Sequence, residues 1–162
     1  MDGEGETGLV PRWLPIACLV VSCLALAVSG YLTYEHFSSS TGQGLVCPIG
    51  GTSCQEVTTS PQSKLLGMPV AVLGLFYYVA MTILNLPALW RSRSQVVRWA
   101  RLAGAAGGIV FVLWLIYAEL YLIHKVCMWC TVVHILTFIL FCLVMWGTFG
   151  LIDGEEDFED ED

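Results

Sequence analysis

Charge is what this 162-residue sequence has least of: 13% of its residues are Asp, Glu, Lys or Arg, against about 25% in an ordinary globular domain. The shortage is sharper inside the chain than the total suggests. Of 14 acids, only Glu35, Glu56 and Glu119 fall between Glu6 and Asp153, and they face all seven Lys and Arg residues. The formal net charge of -7 therefore belongs to the two ends, with Asp2, Glu4 and Glu6 at one and the run from Asp153 to Asp162 at the other. So few bases exclude a nucleic-acid-binding surface, and the lack of internal repeats excludes a solenoid. What stands in place of charge is apolar: 56% of residues are hydrophobic and the mean hydropathy is +0.71. That excludes a soluble disulfide-rich scaffold and points to a chain that sets its apolar surface against lipid.

Four apolar runs, about 14–34, 68–89, 101–123 and 127–149, are each long enough to cross roughly 30 Å of hydrocarbon as a helix of about 20 residues. Each is apolar on all sides rather than along one stripe, as a lipid-embedded helix is. Pro15 and Pro69 fall at the starts of the first two runs, where a missing N–H costs little. The sequence thus predicts an all-α, four-transmembrane-helix bundle over 13–150, with an N-terminal tail over 1–12 and an outer loop over 35–67. The acidic stretch 151–162 reads as a disordered tail. A lipoprotein signal ending at Cys23 is disfavoured, since cleavage there would cut the first span in half.

Basic residues set the expected orientation, because Lys and Arg gather on the cytoplasmic side. Arg91, Arg93, Arg98 and Arg101 cluster between the second and third runs, and Arg12 precedes the first. This places that link and both termini in the cytoplasm, in a multi-pass protein of the cell inner membrane or plasma membrane. The loop over 35–67 and the start of the fourth span then lie on the outer face.

Seven cysteines are present. Cys18, Cys23 and Cys142 lie inside spans and read as buried thiols that pack like small hydrophobes. The other four, Cys47, Cys54, Cys127 and Cys130, all map to the outer face, the oxidising side. Taken alone, Cys47 and Cys54 could form a staple closing a six-residue loop. Cys127-Met128-Trp129-Cys130 opens a helix, however, where free N–H groups and positive potential favour thiolate and make sulfur nucleophilic. A structural zinc site built from both pairs is a lesser alternative, since half of its cage would sit at the lipid boundary. Two dithiol pairs on one face suggest an electron relay by thiol–disulfide exchange. A lipid-soluble quinone is its natural acceptor, in an apolar pocket with one or two polar contacts.

These residues resemble the vitamin K epoxide reductase family, in particular its bacterial and archaeal disulfide-forming members. The resemblance rests on Cys47 and Cys54, Val57 and Ser60 three and six residues after Cys54, Gly67-x-Pro69, Gly74 followed by Tyr78, and Cys127-x-x-Cys130, and it extends from about Trp13 to Gly147. It implies a four-helix bundle around a quinone of the ubiquinone or menaquinone class, capped by a short helix from the first loop. It also implies that Cys47 meets a separate extracytoplasmic thioredoxin-fold partner, that Cys54 exchanges with Cys127, and that Cys130 lies beside the quinone. Ser60 and Tyr78 fall among the implied pocket residues. The asparagine and tyrosine that bond the quinone oxygens in the animal enzymes become Val70 and His134 here, a departure that argues against specificity for vitamin K itself.

His134 stands one helical turn beyond Cys130 on the same face, and a histidine inside a span is a functional candidate by default. Glu119 and His124 read as interfacial polar residues near the end of the third span, and Glu35 and His36 as markers of the end of the first. The leading expectation is a thiol:quinone oxidoreductase that supports disulfide formation in secreted proteins. Reduction of vitamin K quinone or epoxide uses the same cysteines, and a non-catalytic tetraspan scaffold with a stapled loop is the alternative from another class.

Overall fold

In lipid every backbone N–H and C=O must find its partner within the chain, which leaves the helix as the natural state of long apolar runs. The computed structural model describes residues 11–38, 64–65, 68–92, 94–124 and 126–159 and forms an all-α membrane bundle of four principal helices. These are α1 (Trp13–Ser38), α2 (Val70–Leu84), α4 (Gln95–Tyr117) and α5 (Met128–Glu159), with a short α3 (Pro87–Trp90) between the second and third. A two-residue antiparallel ladder, Lys64–Leu65 against Met68–Pro69, leads directly into α2. Cys47, Cys54, Ser60 and the expected capping helix lie outside the described residues.

Three helical stretches, Trp13–Phe37, Gln95–Ile123 and Met128–Phe149, are long and apolar enough to cross a membrane. Fewer than a third of the residues in each are buried, and Ile16, Leu24, Val110, Leu113 and Phe138 present large apolar side chains outward. An apolar exterior of this kind belongs in hydrocarbon, where helix association relies on close packing and interhelical hydrogen bonds.

The second span departs from the expected 68–89. Its helix has 15 residues and stops at Leu84. The cause is Pro87, which disfavours helical backbone at the residue before it: Leu86 sits at φ -58, ψ 135, and the chain resumes as α3 with Pro87 in its first turn. Asn85 closes the end, its backbone N–H donating to the Met81 carbonyl at 2.9 Å and its side-chain amide donating to the same oxygen at 2.9 Å and to Ser22 Oγ at 3.3 Å.

Arg101 completes this closure. Its Nε and Nη2 donate to the Leu84 carbonyl at 3.1 and 2.9 Å, and its guanidinium lies 3.8 Å from the centroid of the Trp90 ring. The third helix begins at Gln95 rather than at Arg101, so Arg101 is within the bundle and only 1% exposed. Around it packs the main core cluster, including Leu14, Cys18, Met81, Leu140 and Val144. Cys23 and Cys142, expected to be buried, are exposed instead on the outer surfaces of their helices.

At the other end of the bundle α1 and α2 are drawn together by hydroxyls. Thr33 Oγ1 and Ser29 Oγ donate to the Ala71 carbonyl at 3.1 and 3.4 Å. Gly74 permits this approach, since a Cβ there would stand 3.0 Å from Ser29 Oγ. The last helix runs on to Glu159, into the segment whose composition suggests disorder. Glu is a good helix former, and a helix already nucleated propagates at little cost.

Candidate functional site

The start of α5 organises the site. Cys127 immediately precedes the helix and acts as its cap: the backbone N–H of Cys130 donates to Cys127 Sγ at 3.4 Å, and that of Thr131 to the Cys127 carbonyl at 2.9 Å. Both cysteines are free thiols, Cys127 fully buried and Cys130 partly so. A hydrogen bond from the Cys130 thiol, aided by backbone N–H groups, holds the Cys127 thiol below the ordinary thiol range despite its burial and the nearby Glu119 carboxyl. The arrangement makes Cys127 the more readily ionised sulfur of the pair, with Cys130 as the donor to it.

Cys130 opens onto a cavity of about 320 Å³ enclosed by all four principal helices. Its walls are chiefly apolar, formed by residues such as Leu32, Leu73, Phe111 and Val133. Three of the pocket residues expected from the sequence, Val70, Tyr78 and His134, line it together with Cys130, and His134 is 7% exposed, one turn beyond Cys130 on α5. Ser60, Cys47 and Cys54 lie outside the described residues.

Tyr78 occupies the wall without offering a proton to the cavity. Its hydroxyl is 2.6 Å from Thr137 Oγ1, and Thr137 uses its own single proton on the Val133 carbonyl at 2.7 Å. Tyr78 must therefore be the donor in that pair. The neighbouring Tyr77 likewise donates to the Gly104 carbonyl at 3.2 Å, and Gly108, where a Cβ would collide with the Tyr77 hydroxyl, makes room for it.

Glu119 is the residue whose sequence reading the structure corrects. It is 6% exposed and lines the cavity beside Cys130, its carboxyl within reach of that thiol. Its face is that of the helix before it: Glu119 lies four residues after Leu115 and seven after Val112, and both line the same cavity. After Tyr117 the helix widens into a π segment, Ala118–Ile123, in which Ala118 and Glu119 are buried while Leu120, Tyr121 and Leu122 face outward. The segment closes at His124, whose N–H donates to the Glu119 carbonyl and whose backbone is left-handed (φ 57, ψ 29). π turns of this kind recur at functional sites, and an acid inside an apolar span was the available sequence signal. His36, near the end of α1, also lines the cavity.

The profile of the vitamin K epoxide reductase family matches residues 16–145, most of the chain. The chain belongs to the vitamin K epoxide reductase family. It is thus a membrane oxidoreductase by family, and Cys127 and Cys130 lie within the matched residues. The chain is also similar to the thiol-disulfide oxidoreductase LTO1 of Arabidopsis thaliana, 29% identical over 123 residues that make up 71% of this chain and 31% of the plant protein. It spans about a third of that relative's length. Among the described residues no group of three or more metal-ligating side chains occurs; the zinc alternative requires Cys47 and Cys54, outside them.

Proposed function

We propose that this protein is a thiol:quinone oxidoreductase that takes electrons from a thioredoxin-fold partner through two cysteine pairs and reduces a membrane quinone of the ubiquinone or menaquinone class. The observation that carries the reading is the position of Cys130, in hydrogen-bond contact with Cys127 on one side and open to an apolar cavity on the other. The cavity fits a quinone head group: about 320 Å³ is within the range of small-molecule sites, its walls are apolar, and Cys130, His134 and Glu119 supply the few polar groups. A quinone accepts two electrons and two protons when reduced. On the protein side, Cys127 holds a thiolate ready to close on Cys130 Sγ, and the two thiols become a disulfide. Exchange with Cys54 then restores them, with Cys47 receiving electrons from the partner.

The family membership and the likeness to a plant thiol-disulfide oxidoreductase support a membrane thiol-disulfide redox function. So does the charge pattern, which puts the arginine-rich link and both termini in the cytoplasm and the cysteines on the oxidising face of an inner or plasma membrane. In a bacterium lacking its own disulfide-forming membrane oxidase, the wild-type chain should restore disulfide formation. Single Ser replacements at Cys47, Cys54, Cys127 and Cys130 should each abolish the rescue, and retention of rescue by all four would refute the relay. The purified chain with a dithiol should reduce a short-chain quinone and leave vitamin K epoxide unreduced.

A further inference from the structure

Burying a carboxyl group in an apolar bundle is expensive, and the fold makes no evident use of this one. Glu119 caps no helix end, and an apolar residue would fill its place in the wall equally well. Its side chain meets Cys130 Sγ instead, inside the cavity that also holds His134. Helical spacing brings it there, four residues after Leu115 and seven after Val112, which line the same cavity. Both neighbouring tyrosine protons are committed elsewhere, to Thr137 and to Gly104. Glu119 is thus the acidic group in direct contact with the sulfur that must lose a proton.

We propose that Glu119 is a catalytic residue that takes the Cys130 thiol proton as the disulfide forms and passes it to the reduced acceptor. The proposal rests on the thiol:quinone reading above for the identity of the acceptor, though not for the proton transfer itself. In each turnover the Cys127 thiolate bonds to Cys130 Sγ, the Cys130 S–H bond breaks, and an electron pair passes to the quinone. The proton from Cys130 moves to the Glu119 carboxylate and from the resulting carboxylic acid to a quinone oxygen. The proton of Cys127 has already left to water, and water returns the second proton that hydroquinone requires. Two S–H groups are oxidised to one disulfide and one quinone is reduced to one hydroquinone.

The test uses the full chain in lipid vesicles with a short-chain quinone and a dithiol. Glu119→Gln keeps the shape and a hydrogen bond but cannot take the proton, so kcat should fall about a hundredfold, the scale of general base catalysis, with KM little changed. Glu119→Ala should be equally slow and regain rate with added formate, which a packing role would not allow. A second measurement needs no quinone: in a Cys127→Ser background, reaction of Cys130 with 4,4'-dithiodipyridine should slow on Glu119→Gln by a similar factor. If wild-type protein reduces no quinone yet the dithiodipyridine reaction slows, the quinone reading falls and the role of Glu119 stands. Wild-type kcat in Glu119→Gln, a change confined to KM, or loss in Glu119→Ala that formate does not relieve overturns the proposal.

Discussion

The backbone N–H of Cys130 is aimed at the sulfur of Cys127, 3.4 Å away, so the first turn of α5 is capped by the thiol that is paired with Cys130 in the C-x-x-C motif. Helix cap and redox motif are one structure. Whatever changes the charge on Cys127 changes the end of the helix, and the N–H groups that satisfy the cap stabilise the thiolate.

The first prediction follows from that geometry. Cys127 is held below the ordinary thiol range chiefly by the hydrogen bond from the Cys130 thiol. A lowered value means that thiolate is already populated at pH values where an ordinary cysteine is still protonated. Site-resolved alkylation of the reduced protein across pH should show the Cys127 midpoint below that of an ordinary thiol. Cys130→Ala removes the side-chain donor and leaves the backbone N–H, so the midpoint should climb part of the way back. An unmoved midpoint would show that the backbone alone sets the charge.

His134 and Tyr78 should separate cleanly in kinetics. Tyr78→Phe deletes a donor spent on Thr137, so quinone KM should hold while stability drops by about 0.5–1.5 kcal/mol, the worth of one ordinary hydrogen bond. His134→Phe removes a polar group that lines the cavity and should raise quinone KM with the cysteines still reactive toward a soluble disulfide. A larger KM effect from Tyr78→Phe than from His134→Phe would reverse the assignment.

Arg101 is predicted to matter for stability and not for chemistry. Arg101→Met keeps much of the volume but loses two bonds to the Leu84 carbonyl and the contact with Trp90. Unfolding in mixed micelles should show a loss of about 2–4 kcal/mol, as expected for charged hydrogen bonds and a desolvated cation–π pair. The folded fraction should keep its kcat.

Gly108→Ala tests the cavity wall. The added methyl meets the Tyr77 hydroxyl and ring end, so Tyr77 must give up its bond to Gly104 and shift. Overpacking of this kind costs about 1–3 kcal/mol, and because Gly108 lines the cavity, quinone KM should rise as well. Gly107, where a Cβ meets nothing within 4 Å, provides the packing control: Gly107→Ala should leave stability unchanged.

How far the residues alone carried this picture depends on whether the deciding force was local. Long apolar runs announce helices in lipid, and those helices are found; Cys127-x-x-Cys130 with His134 one turn on reads as a redox face, and the structure sets Cys130 and His134 along one cavity. The break after Leu84 was available in Asn85-Leu86-Pro87, because the constraint on a residue before proline is local, yet hydropathy runs straight across it. Arg101 could be counted as a topological charge but not seen as the ligand of a carbonyl on another helix, since that pairing exists only once α2 and α4 meet. Glu119 is the same case in stronger form. Helical spacing already set Glu119 on the face of Val112 and Leu115, but that this face lines a cavity beside Cys130 is visible only once the helices pack. The Cys47, Cys54 and Ser60 assignments stand on the sequence resemblance alone.

The early stop of α2 has a consequence for one flank of the bundle. At 1.5 Å per residue, its 15 residues measure about 22 Å, whereas the 26 of α1 measure about 39 Å. Against hydrocarbon roughly 30 Å deep, α2 alone is short, and the remaining depth on that flank falls to Asn85, Leu86 and α3. The flank also forms part of the cavity wall, through Val70, Leu73 and Gly74. The face of the bundle that carries its shortest principal helix is thereby also a wall of the chamber beside Cys130.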